Sequence, residues 1–105
     1  MKNDIELTLD GETAVLRPTL EAAITVDEQL GGFVEAFRQV GAFKLSAYVV
    51  IVAAGLGRRP NEVKTQVYNT GLASLAVPVT QYVTLLSNGG RQPEEAGKDR
   101  AAGEP

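Results

Sequence analysis

No cysteine and no histidine occur anywhere in the chain. Their absence removes thiolate nucleophiles, disulfides, most zinc sites and the commonest general base together, so few catalytic schemes survive. Basic runs are missing as well: the pair Arg58, Arg59 is the longest, and the formal net charge is −3. Nucleic-acid binders carry a basic stripe that neutralises phosphates, so no nucleic-acid partner is expected. The longest nearly unbroken apolar stretch, Ala47 to Leu56, is about half the ~20 residues needed to cross a bilayer. No charged segment followed by an apolar one opens the chain, which leads to the expectation of a cytosolic protein with no membrane partner.

What is present is ordinary globular material. The 105 residues are 44% apolar and 22% charged, enough for one core and far from the composition of wholesale disorder. Ile5, Leu7 and Leu9 alternate with Glu6 and Thr8, which places the three apolar side chains on one face of a strand. Asp10-Gly11 is a strong hairpin signal, and Thr13 to Arg17 can return with Ala14 and Leu16 inward until Pro18 stops the strand.

Helical punctuation follows. Thr19 reads as an N-cap for a helix from Leu20 to Leu30, with Leu20, Ala23, Ile24 and Leu30 as its inward set and Gly31 as its stop. A shorter helix runs from Phe33 to Val40, with Phe33, Phe37 and Val40 inward and Gly41 as the stop. Leu45 to Leu56 fits a strand by its β-branched residues and a helix by its spacing; it is read as a helix, apolar nearly all round and hence the most buried element. Pro60 opens the next helix, with Val63 and Val67 inward and Gly71 as its end. The last helix spans about Leu72 to Ser87, and Pro78 is expected to kink or divide it. Beyond Asn88 no aliphatic residue larger than alanine occurs, too little burial to offset the entropy of ordering. The expected fold is therefore α+β: a single domain over residues 1–88, made of an N-terminal β-hairpin and about five short α-helices, then a disordered C-terminal tail over residues 89–105.

Candidate chemistry is sparse. The apolar run Tyr48 to Ala54, followed by Gly55, Leu56, Gly57, Arg58, Arg59 and Pro60, begins like the strand and first glycines of a dinucleotide site, but Pro60 replaces the third glycine and no acidic residue follows at the spacing that holds a ribose. Asp27-Glu28 and Glu94-Glu95 are sequence neighbours that do not converge on a substrate, and Ser46, Ser74 and Ser87 have no histidine to activate them. No catalytic, cofactor-binding or metal-ligating residue is expected, and no cofactor. Aromatic residues at helical spacing fit core packing, while a small helical domain often leaves an aromatic on a partner surface. Phe33, Phe37, Tyr68 and Tyr82 are the candidates for that surface.

Taken together, the strand Ile5 to Leu9, the Asp10-Gly11 turn, the run Val15-Leu16-Arg17-Pro18-Thr19-Leu20-Glu21-Ala22-Ala23, Gly31-Gly32-Phe33, Ala53-Ala54-Gly55-Leu56 and Gly71-Leu72 resemble a known family. The likeness, over about residues 4 to 90, is to the small tail proteins of gene transfer agents and related long-tailed phages. The resemblance implies a non-enzymatic role in building the tail, either as a tail assembly chaperone or as a tail-tube component retained in the particle. A tube protein is β-rich, whereas a chaperone is mostly helical, and one hairpin with about five helices favours the chaperone. The resemblance implies partners among the other tail proteins, the tape-measure protein and the tube subunit, with homo-oligomerisation also open. It implies a location in the bacterial cytoplasm during assembly, or in the virion for the tube reading. A small nucleotide-binding or enzymatic domain using Gly55 to Pro60 is the remaining, most distant alternative.

Overall fold

Strands β1 (Ile5–Leu9) and β2 (Glu12–Leu16) pair antiparallel in the computed structural model, which describes residues 3–92. Ile5 faces Leu16 and Leu9 faces Glu12 across a two-residue turn. Both turn residues have positive φ, Asp10 at 52° and Gly11 at 85°, the geometry that matches the twist of the strands on either side. Ile5, Leu7, Leu9 and Leu16 are buried, while Glu6 and Thr8 are exposed. The tip of the hairpin is tied down: the Asp10 N–H donates to Thr70 Oγ1 at 2.6 Å, and Asn69 Nδ2 donates to the Asp10 carboxylate at 3.3 Å.

Five helices follow, α1 (Leu20–Leu30), α2 (Phe33–Gly41), α3 (Leu45–Leu56), α4 (Pro60–Thr70) and α5 (Leu72–Ser87), so the fold is α+β. Thr19 caps α1 by accepting from the Ala22 N–H at 3.1 Å, and Gly31 ends it at φ 85°. The buried face of α1 is Ala22, Val26 and Leu30, which corrects the expected inward set: Leu20 and Ile24 are exposed and Ala23 is only half-buried. The two sets share Leu30, and at about 100° per residue their mean directions differ by about a quarter turn around the helix. Periodicity alone cannot choose between them; the crossing of α1 over α3 does.

Helix α3 is the core element, touching α1, α2, α4, α5 and β2. Ala47, Tyr48, Val49, Ile51, Val52, Ala53 and Gly55 are all buried along it. At Gly55 the chain of β2 passes so close that an added Cβ would lie 2.8 Å from Leu16 Cβ and 3.1 Å from Tyr82 Cζ. The Arg17 N–H donates to the Gly55 carbonyl there at 3.0 Å. Helix α4 opens on Pro60, and Glu62 Oε1 accepts from the Arg59 N–H at 3.1 Å, closing the first turn; Val63 and Val67 bury its inner face. Pro78 does not divide α5, which runs unbroken through it. Leu75 and Val79 are buried on either side of the ring, with Tyr82, Val83, Leu85 and Leu86 beyond, so packing holds both halves in one helix against the local preference.

Residues 89–92 of the expected tail are among the described residues. The Gly90 N–H donates to the Leu85 carbonyl at 2.7 Å, and the Gly90 carbonyl accepts from Asn3 Nδ2 at 3.1 Å. The rest of the expected tail, residues 93–105, lies outside the described residues.

Candidate docking surface

Helix α2 buries Ala36, Gln39 and Val40, and the elements at its two ends decide what else it shows. Gln39 is a buried polar residue whose Nε2 donates to the Leu30 carbonyl at the end of α1 (3.3 Å) and to Glu35 Oε2 (3.1 Å). Glu35 also accepts from Arg38, one turn on, so three side chains form a polar strip along one flank. The Arg38 guanidinium, and after it the Gln39 amide, lower the Glu35 carboxyl to about 2. A carboxyl held below its unfolded value stabilises the fold above that value, and the contribution disappears as pH falls from about 4.5 towards 2. Glu35→Gln is therefore expected to lower thermal stability at pH 7, by a small amount because the pair is solvent-screened, and to flatten the acid limb of the profile so that variant and parent converge towards pH 2.

The opposite flank is apolar. Phe33 and Phe37 are half-buried against the core, and the apolar surface continues around the helix to Val34, which is 86% exposed. Gly41 was expected to stop α2, yet it stays helical. The left-handed position falls on Phe43 instead, at φ 55°. There the Phe43 N–H donates to Val40 and the Lys44 N–H to Gln39, both at 3.0 Å. This is the double-bonded helix ending that ordinarily places glycine at the left-handed residue. Helix α3 ends the same way with Gly57 in that position, its N–H bonding Ala54 and that of Arg58 bonding Ala53. A phenylalanine there carries about 1–2 kcal/mol of backbone strain. The residue is 54% exposed, its ring tilted 41° to the Tyr48 ring at 6.4 Å, and Leu45 beside it is also exposed. Tyr48 is itself buried, its hydroxyl donating to the Val40 carbonyl at 2.9 Å. Phe43 thus stands on a rigid base at the corner between α2 and α3.

The four aromatic candidates separate. Tyr68 projects from α4, 71% exposed. Phe33 and Phe37 are shared between core and surface. Tyr82 is corrected outright: it is fully buried, its hydroxyl donating to the Arg17 carbonyl at 2.5 Å, and it has no face to offer a partner. Spacing could not separate Tyr82 from Tyr68, since both lie on amphipathic helices. Phe43, Val34 and Leu45 were not singled out from the sequence; no propensity marks a phenylalanine for a left-handed position.

The other marked segments are structural. The residues before Gly55 are helical, so the strand that a dinucleotide site requires is not there. Arg59 pairs with Glu62 at 3.6 Å on the surface. Asp27 and Glu28 are exposed on α1, and the Ser87 hydroxyl donates to the Thr84 carbonyl at 2.9 Å. Among the described residues no three His, Cys, Asp or Glu side chains gather as a metal site, and no helix is long and apolar enough to cross a membrane. No known protein family, curated protein or solved structure matches this chain.

Proposed function

We propose that this chain is a non-enzymatic tail assembly chaperone that binds the tape-measure and tube proteins in the bacterial cytoplasm, through the apolar face formed by α2 and the α2–α3 corner. The observation that carries the reading is Phe43, a bulky aromatic kept exposed in a backbone conformation that glycine would occupy without strain. Strain of this kind persists where the surrounding structure imposes it, and it clusters at functional positions. Leu45 adds apolar surface beside the corner, Val34 adds it at the other end of α2, and Tyr68 offers a further anchor on α4. The helical majority of the fold suits an adaptor better than a β-rich tube subunit.

The test is co-purification of the chain with the tape-measure and tube proteins encoded beside it, with Phe43→Gly as the discriminating variant. Glycine relieves about 1–2 kcal/mol of left-handed strain and gives up an aromatic contact worth about 0.5–1.5 kcal/mol, so stability should change little. Binding rests on a few anchors and is expected to fall by on the order of 10- to 100-fold. Wild-type affinity retained by Phe43→Gly, Val34→Asp and Tyr68→Asp together would remove this surface from the reading. Wild-type protein that binds neither partner and is abundant in finished particles would establish the tube reading in its place.

A further inference from the structure

The hairpin leaves a second surface open, independent of α2. A two-residue turn makes Leu9 and Glu12 a hydrogen-bonded pair, and the alternation of an antiparallel ladder then makes pairs of Leu7 with Ala14 and Ile5 with Leu16 as well. Glu6 and Thr8 consequently direct their N–H and C=O groups away from β2, along the free edge of β1. Among the described residues no hydrogen bond engages those groups. Glu6 carries the one charge on β1, and neither proline nor lysine, two of the residues that commonly protect an edge, lies on it.

The edge opens on a cleft of about 640 Å³ whose far wall is α5, with Ser74, Pro78 and Gln81 facing Glu6 and Thr8. Pro78 has no N–H, so the Ser74 carbonyl lacks its donor four residues on. The acidic residues of the lining are Glu6 and Asp10; the rest is amide, hydroxyl, glycine, proline and the backbone of Leu7, with no lysine or arginine. A second copy of the chain entering by its own β1 would bring the same two carboxylates into an already acidic cleft. Charge therefore selects a different occupant.

We propose that the β1 edge accepts, as an added strand, an extended basic segment of another protein. Main-chain bonds to Glu6 and Thr8 would supply the pairing, and lysine or arginine side chains at alternate positions would meet Glu6 and Asp10.

The experiment is a positional-scanning library of N-acetylated hexapeptide amides, built on alternating threonine and valine, bound to the full chain and read by amide hydrogen exchange. Selection for Lys or Arg at alternating positions is expected, with exchange at Glu6 and Thr8 slowed at least tenfold by the best pool. N-methylation of that peptide's inward amides should abolish binding, and Glu6→Lys should weaken it at least tenfold while leaving thermal unfolding unchanged. Phe43→Gly should leave this binding intact, which separates it from the α2 surface. No pool bound at millimolar concentration, selection without basic residues, or protection located away from Glu6 and Thr8 would each overturn the proposal. Protection of Glu6 and Thr8 by self-association without peptide would overturn the assignment of the occupant.

Discussion

Gly55→Ala is expected to destabilise the chain by about 1–3 kcal/mol, although the same change in most helix interiors stabilises by about 0.5–1 kcal/mol. The reversal follows from geometry. An alanine methyl would sit 2.8 Å from Leu16 Cβ and 2.9 Å from Leu16 Cδ2, with the Tyr82 ring at 3.1 Å. The near atom is the base of a side chain on a strand whose next residue is hydrogen-bonded to Gly55 itself, so β2 cannot move off without breaking the Arg17 bond. A domain of this size loses about 4–8 °C of melting temperature per kcal/mol, so the change is large on a thermal scan. Gly41→Ala is the matched control: nothing lies within 4 Å of its Cβ position, and α2 is helical there. It should raise the melting temperature. Two glycine-to-alanine changes of opposite sign would locate the close crossing; a gain at both would refute it.

Tyr82→Ala is expected to be the more damaging change, costing about 3–5 kcal/mol as for other large-to-small aromatic truncations in a core. The ring is fully buried on α5 between Gly55 and the end of β2, so nothing nearby can swing in to fill the void. Tyr82→Phe separates packing from hydrogen bonding. The Arg17 carbonyl also accepts from the Thr19 N–H at 2.9 Å, so removing the hydroxyl leaves no orphaned acceptor, and the cost should stay near 0.5–1.5 kcal/mol. Burial, and after it the charge of Asp4, raises the Tyr82 hydroxyl above the ordinary tyrosine value of 10.0. A raised value gives stability that is complete below the unfolded pKa and declines as pH rises above it. Alkaline unfolding should therefore begin above about pH 10 in the parent and be weaker in Tyr82→Phe. Equal losses for the alanine and phenylalanine variants would mean that the hydroxyl, and not the ring, holds α5 to β2.

Short-range chemistry was legible in the sequence. The Asp10-Gly11 turn and the alternation of Ile5, Leu7 and Leu9 specified the hairpin, its second strand lying one residue earlier than expected; Thr19, Gly31, Pro60 and Gly71 marked helix ends where the structure has them. Each is a rule about a residue and its neighbours within one turn, and Leu45–Leu56, apolar on every side, could lie only at the centre. Of the candidate surface, Tyr68 was legible and Phe43 was not.

Three features depended on contacts distant in sequence. Which side of α1 is covered was decided by α3; whether Pro78 breaks α5 was decided by the packing of Leu75 and Val79 on either side. Tyr82 became core and Tyr68 surface because one helix faces β2 and the other presents that residue outward. The end of α2 is a further departure, and a local one: Gly41 stays in the helix, Ala42 caps it, and the left-handed turn into α3 falls on Phe43. Local rules specify where an element begins and ends, because the hydrogen bonds that close it lie within a few residues. Which side of that element is covered depends on surfaces that exist only once the chain has folded.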